Sequence, residues 1–197
     1  MAWDTETTRR RLLDAGTRQF AAHGFAGARL DAIGRDAEVN KERVYHYFGD
    51  KRGLFTAVLT RELASLLEGV DLEGDDAGPE AIGRFAGALF DRCAERPHLP
   101  RLLAYESLEL DSAVGVDARN PLCAKNITGI QDVVPGLDRA GAEQLLFSVI
   151  SLVVGWWTLS ALVQTLPVRP DDAASRRAAV VAHATAMADC TTGRDVG

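Results

Sequence analysis

The run from Leu30 to Leu54 constrains this chain more than any other. Leu30, Ile33, Gly34 and Ala37 recur at i, i+3, i+4 and i+7, which predicts one apolar stripe on a short helix over residues 30–37. Glu38-Val39-Asn40 then makes a three-residue turn whose one apolar member, Val39, can plug the angle between two helices. Asn40 is the expected N-cap of a helix over residues 41–48. Val44 and Phe48, four apart, fix its inner face and leave Lys41, Glu42, Arg43, Tyr45 and His46 outside. Gly49 is expected to end that helix as a left-handed C-cap, and Asp50 to cap the next. Two short helices joined by a tight turn, the second with a polar outer face, form a helix-turn-helix, whose usual task is to present that second helix to the major groove of DNA.

With Arg11-Leu12-Leu13-Asp14-Ala15-Gly16, Phe20 and Gly24-Phe25 before it, and Tyr45-His46-Tyr47-Phe48, Lys51 and Leu54 within and after it, the stretch resembles the DNA-binding domain of TetR-type transcriptional repressors. Against that pattern the chain has Gly34 where alanine is usual and Glu38 where glycine is usual. Arg29 and Asn40 stand where serine or threonine is favoured, and Glu42 and Arg43 where residues are small. If position 38 needs a positive φ, Glu38 brings turn strain. Arg29 removes the side-chain cap of the second helix but can reach a phosphate instead. Glu42 brings a carboxylate close to DNA, where it either repels phosphate or accepts from a cytosine amino group.

The net charge of −6 is unevenly spread. Residues 1–60 hold ten Lys and Arg against eight Asp and Glu, net +2, while residues 61–197 hold twelve against twenty, net −8. That asymmetry suits a DNA-binding head on a body that does not touch DNA, and a mixed solvated surface is the plainer reading. Residues 1–11 are polar with no apolar core, so no secretory leader is expected. Cys93, Cys123 and Cys190 are odd in number and far apart, which argues against a disulfide framework or a CxxC metal site and favours a reducing cytoplasm. His23, His46, His98 and His183 are scattered, so no metal or other cofactor is expected. No nucleophile elbow, glycine-rich phosphate loop or HExxH is present, so no enzyme is expected.

Helical periodicity runs nearly throughout. Further helices are expected at about 5–23, 51–68, 79–95, from the Arg96–Pro100 break through Glu109, 120–134 and 171–189. The acidic, glycine-rich residues 71–79 read as a loop between head and body. Residues 144–166 are uncharged and long enough to cross a bilayer. Ser148, Ser151, Thr158, Ser160 and Gln164 interrupt the run and no basic cluster flanks it, which favours a helix buried within the body and against a partner over a membrane span. The last helix carries Ala174, Ala178, Val181, Ala184 and Ala188 at helical spacing, small enough for close approach. The resemblance implies that the helices at 144–166 and 171–189 of two subunits form a four-helix dimer interface.

The expected fold class is therefore all-α: a three-helix DNA-binding domain over residues 1–49 and a helical ligand-binding and dimerisation domain over residues 50–197. The expected DNA contacts are Lys41 and Arg43 at base edges, with Arg43 able to bind guanine O6 and N7 together, and Glu42 beside them in either of its two roles. Arg29 and Lys51 are expected at phosphates, and the resemblance implies the same for Tyr45 and His46. The resemblance places an effector cavity among Phe85, Leu89, Cys93, Leu102, Tyr105, Glu106, Phe147 and Trp156, which would suit a small apolar or aromatic ligand oriented by Glu106 or Tyr105; plain core packing is the competing reading. The expected function is a ligand-responsive repressor that binds a palindromic operator in double-stranded DNA as a homodimer. The rivals are an activator or ligand-independent regulator, and a helical interaction or apolar-ligand-binding protein that has lost DNA binding.

Overall fold

A computed structural model describes residues 2–67, 70, 72, 77–166 and 172–192. Among them the chain is all-α: α1 Ala2–Gly27, α2 Leu30–Asp36, α3 Lys41–Phe48, α4 Lys51–Leu67, α5 Pro79–Glu95, α6 His98–Glu109, α7 Val116–Val133, α8 Arg139–Thr158, α9 Ser160–Thr165 and α10 Ala173–Thr192. Local signals set many of these bounds. Pro79 opens α5, where a missing N–H costs nothing, and Asp138 caps α8 by accepting from the Gly141 N–H at 2.7 Å. Pro100 does not break the chain as expected. It sits in the first turn of α6, where backbone N–H groups have no helical partner, so only Arg96 and Pro97 separate α5 from α6. Residue 116, not 120, opens α7, and Pro121 lies inside it. Most of the expected acidic loop at 71–79 lies outside the described residues.

The chain divides into two compact units, Met1–Ser65 with His98–Arg119, and Leu66–Pro97 with Asn120–Gly197. In the first, Leu12, Phe20, Ile33, Val44, Leu54, Phe55, Val58, Leu59, Leu99 and Leu102 are fully buried. The rings of Phe20, Phe25 and Phe55 cluster with centroids 5.0 to 6.3 Å apart. Glu62 occupies the inner stripe of α4 because its charge is fully met. Its carboxylate accepts from His98 Nε2 at 2.8 Å, Arg61 Nη2 at 2.9 Å and Thr17 Oγ1 at 3.3 Å. Burial pushes its pKa up, but the bonds from His98 and Arg61 outweigh burial and hold it at about 2.

The second unit packs by close approach. Gly83 and Gly87 of α5 face Val181 and Thr185 of α10, and a Cβ at Gly83 would strike the Thr185 hydroxyl and lie 3.1 Å from the Val181 carbonyl oxygen. The small residues of α10 thus serve packing within the chain: Val180, Ala184 and Ala188 are buried, while Ala174 and Ala178 are exposed. The 144–166 segment is not one continuous helix. It breaks at Leu159 into α8 and the short α9. By length and composition α8 could cross a membrane, yet only 28% of its apolar window is buried within the chain. Phe147, Ile150, Leu159, Leu162 and Leu166 are exposed. One unit this small offers too little facing surface to cover a helix apolar on all sides.

Candidate nucleic-acid interface

The turn between α2 and α3 is built from residues that each have a stated job. Arg29 precedes α2 in extended conformation and gives it no side-chain cap. The Val39 N–H returns to the Gly34 carbonyl at 2.8 Å, and a Cβ at residue 34 would come 2.8 Å from the Val39 oxygen, so glycine permits the tight reversal. Glu38 adopts φ 57°, the left-handed region that costs a non-glycine residue about 1–2 kcal/mol. Its carboxylate reaches Arg11 at 3.1 Å, a pair too exposed to offset much of that strain. Asn40 caps α3 by accepting from the Arg43 N–H at 3.1 Å. Gly49 has the positive φ expected of it, 77°, but its ψ of −59° makes a γ-turn, closed by the Asp50 N–H to the Phe48 carbonyl at 2.9 Å. Asp50 caps α4 through the Gly53 N–H at 2.7 Å.

Val44, fully buried, anchors α3, which leaves Lys41, Glu42, Arg43, Tyr45 and His46 on one exposed face. Lys41 Nζ lies 2.9 Å from Asp31 Oδ1 of α2. That hydrogen bond raises the lysine pKa and lowers the aspartate pKa. The Lys41 ammonium also lies 6.0 Å from the Tyr45 ring. Tyr47 and Phe48 are half-buried, and Arg9 stands 5.8 Å from the Phe48 ring. Arg29 is exposed at the start of α2. The arrangement can present cations, one carboxylate and two aromatic or imidazole groups to a groove. Asp31 was not among the expected residues; ten positions from Lys41, it gives no local signal in the sequence.

Lys51 opens α4 and is engaged within the chain. Its ammonium donates to the Ala26 carbonyl at 2.9 Å, 5.0 Å from the Phe25 ring, and burial lowers its pKa while the charge of Glu109 raises it. One of its three N–H donors is committed there.

The eight residues expected around an effector divide between the units. Leu102, Tyr105 and Glu106 belong to the first. Leu102 is buried in the core, and the buried Glu106 is not a spare acceptor: it takes bonds from Arg119 at 2.7 and 2.9 Å and from the Val114 N–H at 2.8 Å. In the second unit Phe85, Leu89 and Cys93 line the buried face of α5, and burial pushes the Cys93 thiol up to about 12. Trp156 is half-buried beside Arg176, 5.8 Å away. Phe147 is 69% exposed, so within one chain it lines no interior; α8 turns it outward because Leu145, Leu146 and Val149 take the inner face.

Residues 12–58 match the family of bacterial regulatory proteins of the tetR type, and residues 81–185 match the tetracyclin repressor-like C-terminal domain. The chain is 38% identical over 112 residues to the HTH-type transcriptional repressor SCO4008 of Streptomyces coelicolor, covering 57% of this chain and 56% of that protein. It is 33% identical over 109 residues to the HTH-type transcriptional repressor NicS of Pseudomonas putida, covering 54% and 51%. The alignment thus spans about half the length of either curated relative. The crystal structure of SCO4942 of Streptomyces coelicolor, described as a transcriptional regulator, superposes with a TM-score of 0.72 at 31% identity over 91% of this chain and 97% of that one. With the helix-turn-helix geometry, the two family matches and this full-length structural likeness agreeing, the chain belongs to the tetR family of bacterial regulatory proteins.

Proposed function

We propose that this chain is a ligand-responsive transcriptional repressor that binds a palindromic DNA operator as a homodimer. The observation that carries the reading is α3, capped by Asn40 and anchored by Val44, with Lys41, Glu42, Arg43, Tyr45 and His46 on its exposed face. TetR-family proteins bind operator DNA, typically as dimers that answer small-molecule effectors. The names of SCO4008 and NicS as repressors favour repression as the sign of control. In this reading Arg43 reads guanine and Glu42 accepts from cytosine. Arg29, Tyr45 and His46 hold phosphates. Lys41 and Lys51 reach DNA with the N–H donors that Asp31 and the Ala26 carbonyl leave over.

A second copy covers the exposed Phe147 and Ile150 of α8 and the open groove of about 720 Å³ between α8 and α10, lined by Gln144, Leu145, Ser148, His183 and Met187. The effector is a small apolar or aromatic molecule taken up by the second unit near Phe85, Leu89 and Trp156. No catalytic role is assigned.

Selection of duplexes from a random-sequence library tests the reading. An inverted repeat should emerge with half-sites one or more helical turns apart, bound by a particle of twice the chain mass in light scattering. Arg43→Ala should weaken that duplex by about 1–3 kcal/mol and relax one position per half-site. A protein that enriches no sequence does not bind DNA specifically, and a stable monomer removes the dimer.

A further inference from the structure

The corner between α1 and α2 is gripped from outside the helix-turn-helix. Helical geometry fails at Gly24 (φ 73°, ψ 178°), and the chain makes one more turn before Arg29 starts the approach to α2. Within that turn the Ala26 N–H donates to Glu109 Oε2 at 2.6 Å, a short charge-assisted bond across 83 residues from the last residue of α6. The Ala26 carbonyl accepts from Lys51 Nζ, the first residue of α4, at 2.9 Å. One residue is therefore held on both sides, by a carboxylate from α6 and an ammonium from α4. The seat for that carboxylate depends on Gly24, since a Cβ there would run into Glu109 Oε1. The same side of the unit carries a second tie: Arg52 Nη2 donates to the Ser112 hydroxyl at 2.9 Å.

We propose that Glu109 is a positioning residue for DNA recognition: its carboxylate latches the α1–α2 corner and so fixes the angle at which Arg29 and α2 carry α3 to the groove. The proposal rests on the reading of the head as a DNA binder. Glu109 touches no base or phosphate in this scheme; it acts through Ala26. Charge alone predicts the opposite sign. Removing a carboxylate from a DNA-binding unit strengthens its attraction to phosphates, so a loss of affinity on removing Glu109 cannot come from electrostatics.

The experiment uses the full chain, a duplex enriched by the wild-type protein from a random library, and a random duplex of the same length. Binding is compared for wild type, Glu109→Ala and Glu109→Gln, alongside amide exchange at Ala26, Leu54 and Phe55. Glu109 is exposed at a helix end, so the variants retain the core. Glu109→Ala should lose about tenfold on the enriched duplex while binding the random duplex as well or better, about 1.4 kcal/mol by the usual conversion. Glu109→Gln, which keeps an acceptor, should stay within about threefold of wild type. The Ala26 amide should exchange faster in Glu109→Ala while Leu54 and Phe55 hold. Glu109→Ala binding the enriched duplex as wild type does, or losing affinity together with exchange protection at Phe55, overturns the positioning role. If the wild-type protein enriches no sequence, the DNA reading has failed and this proposal falls with it, a result distinct from both of those.

Discussion

In the unit that holds α3, residues far apart in sequence meet through charged and polar groups: Glu62 with His98, Glu109 with Ala26, Glu106 with Arg119, Arg52 with Ser112. In the unit built on α5, α8 and α10, contact is made by the removal of side chain. Gly83 and Gly87 let α5 lie on Val181, with Ala184 and Ala188 buried on the same helix. Its surface pairs, such as Asp91 with Arg177 at 2.7 to 2.9 Å and Arg139 with Glu143 at 2.9 Å, are about half-exposed and contribute little. The contrast follows from what each unit has to do. Directional bonds fix angles, which a helix offered to a groove requires. Apolar contact fixes only distance and leaves surplus apolar surface on α8, which under the proposed function a second copy covers.

The largest expected effect is on the polar side of this contrast. Glu62→Gln should cost about 3 kcal/mol at pH 7, from a pKa held at about 2 against 4.5 for the free side chain. A depressed carboxylate pKa means the stabilisation is complete above pH 4.5 and is lost as pH falls toward 2. Urea titrations at pH 7, 5 and 3 should show wild-type stability falling toward the variant's value at the acid end. Parallel curves would mean that the first unit does not depend on this network.

Next comes the apolar side. Gly83→Leu should force α5 from α10 and cost about 2–3 kcal/mol, read as a lower denaturant midpoint with unchanged pH dependence. A variant as stable as wild type would show that the close approach is slack.

The smallest effect lies in the turn itself. Glu38→Gly should stabilise the chain by about 1 kcal/mol, because glycine takes φ 57° without a Cβ penalty and the exposed pair with Arg11 offsets little of that. A rise of a few degrees in thermal midpoint is expected. A fall would mean that the Glu38 carboxylate has a role in holding α1 against the turn.

Wherever the deciding interaction spans four residues or fewer, the amino-acid sequence alone determined the outcome. The bounds of α3 and α5, the caps at Asn40 and Asp50 and the uncapped start of α2 at Arg29 all follow from local rules, since a capping side chain acts on its own neighbours. The outward set on α3 was legible for the same reason: period and a buried Val44 assign its faces. Tertiary structure alone decided what depends on partners distant in the chain. It gave Lys51 a carbonyl of its own chain, committed Glu106 to Arg119, seated Glu62 against His98 and turned Phe147 outward. A charged side chain advertises its charge in the sequence but not its counterpart. An apolar run advertises the need for burial but not the surface that meets it, and among the described residues only 28% of the apolar window on α8 finds one.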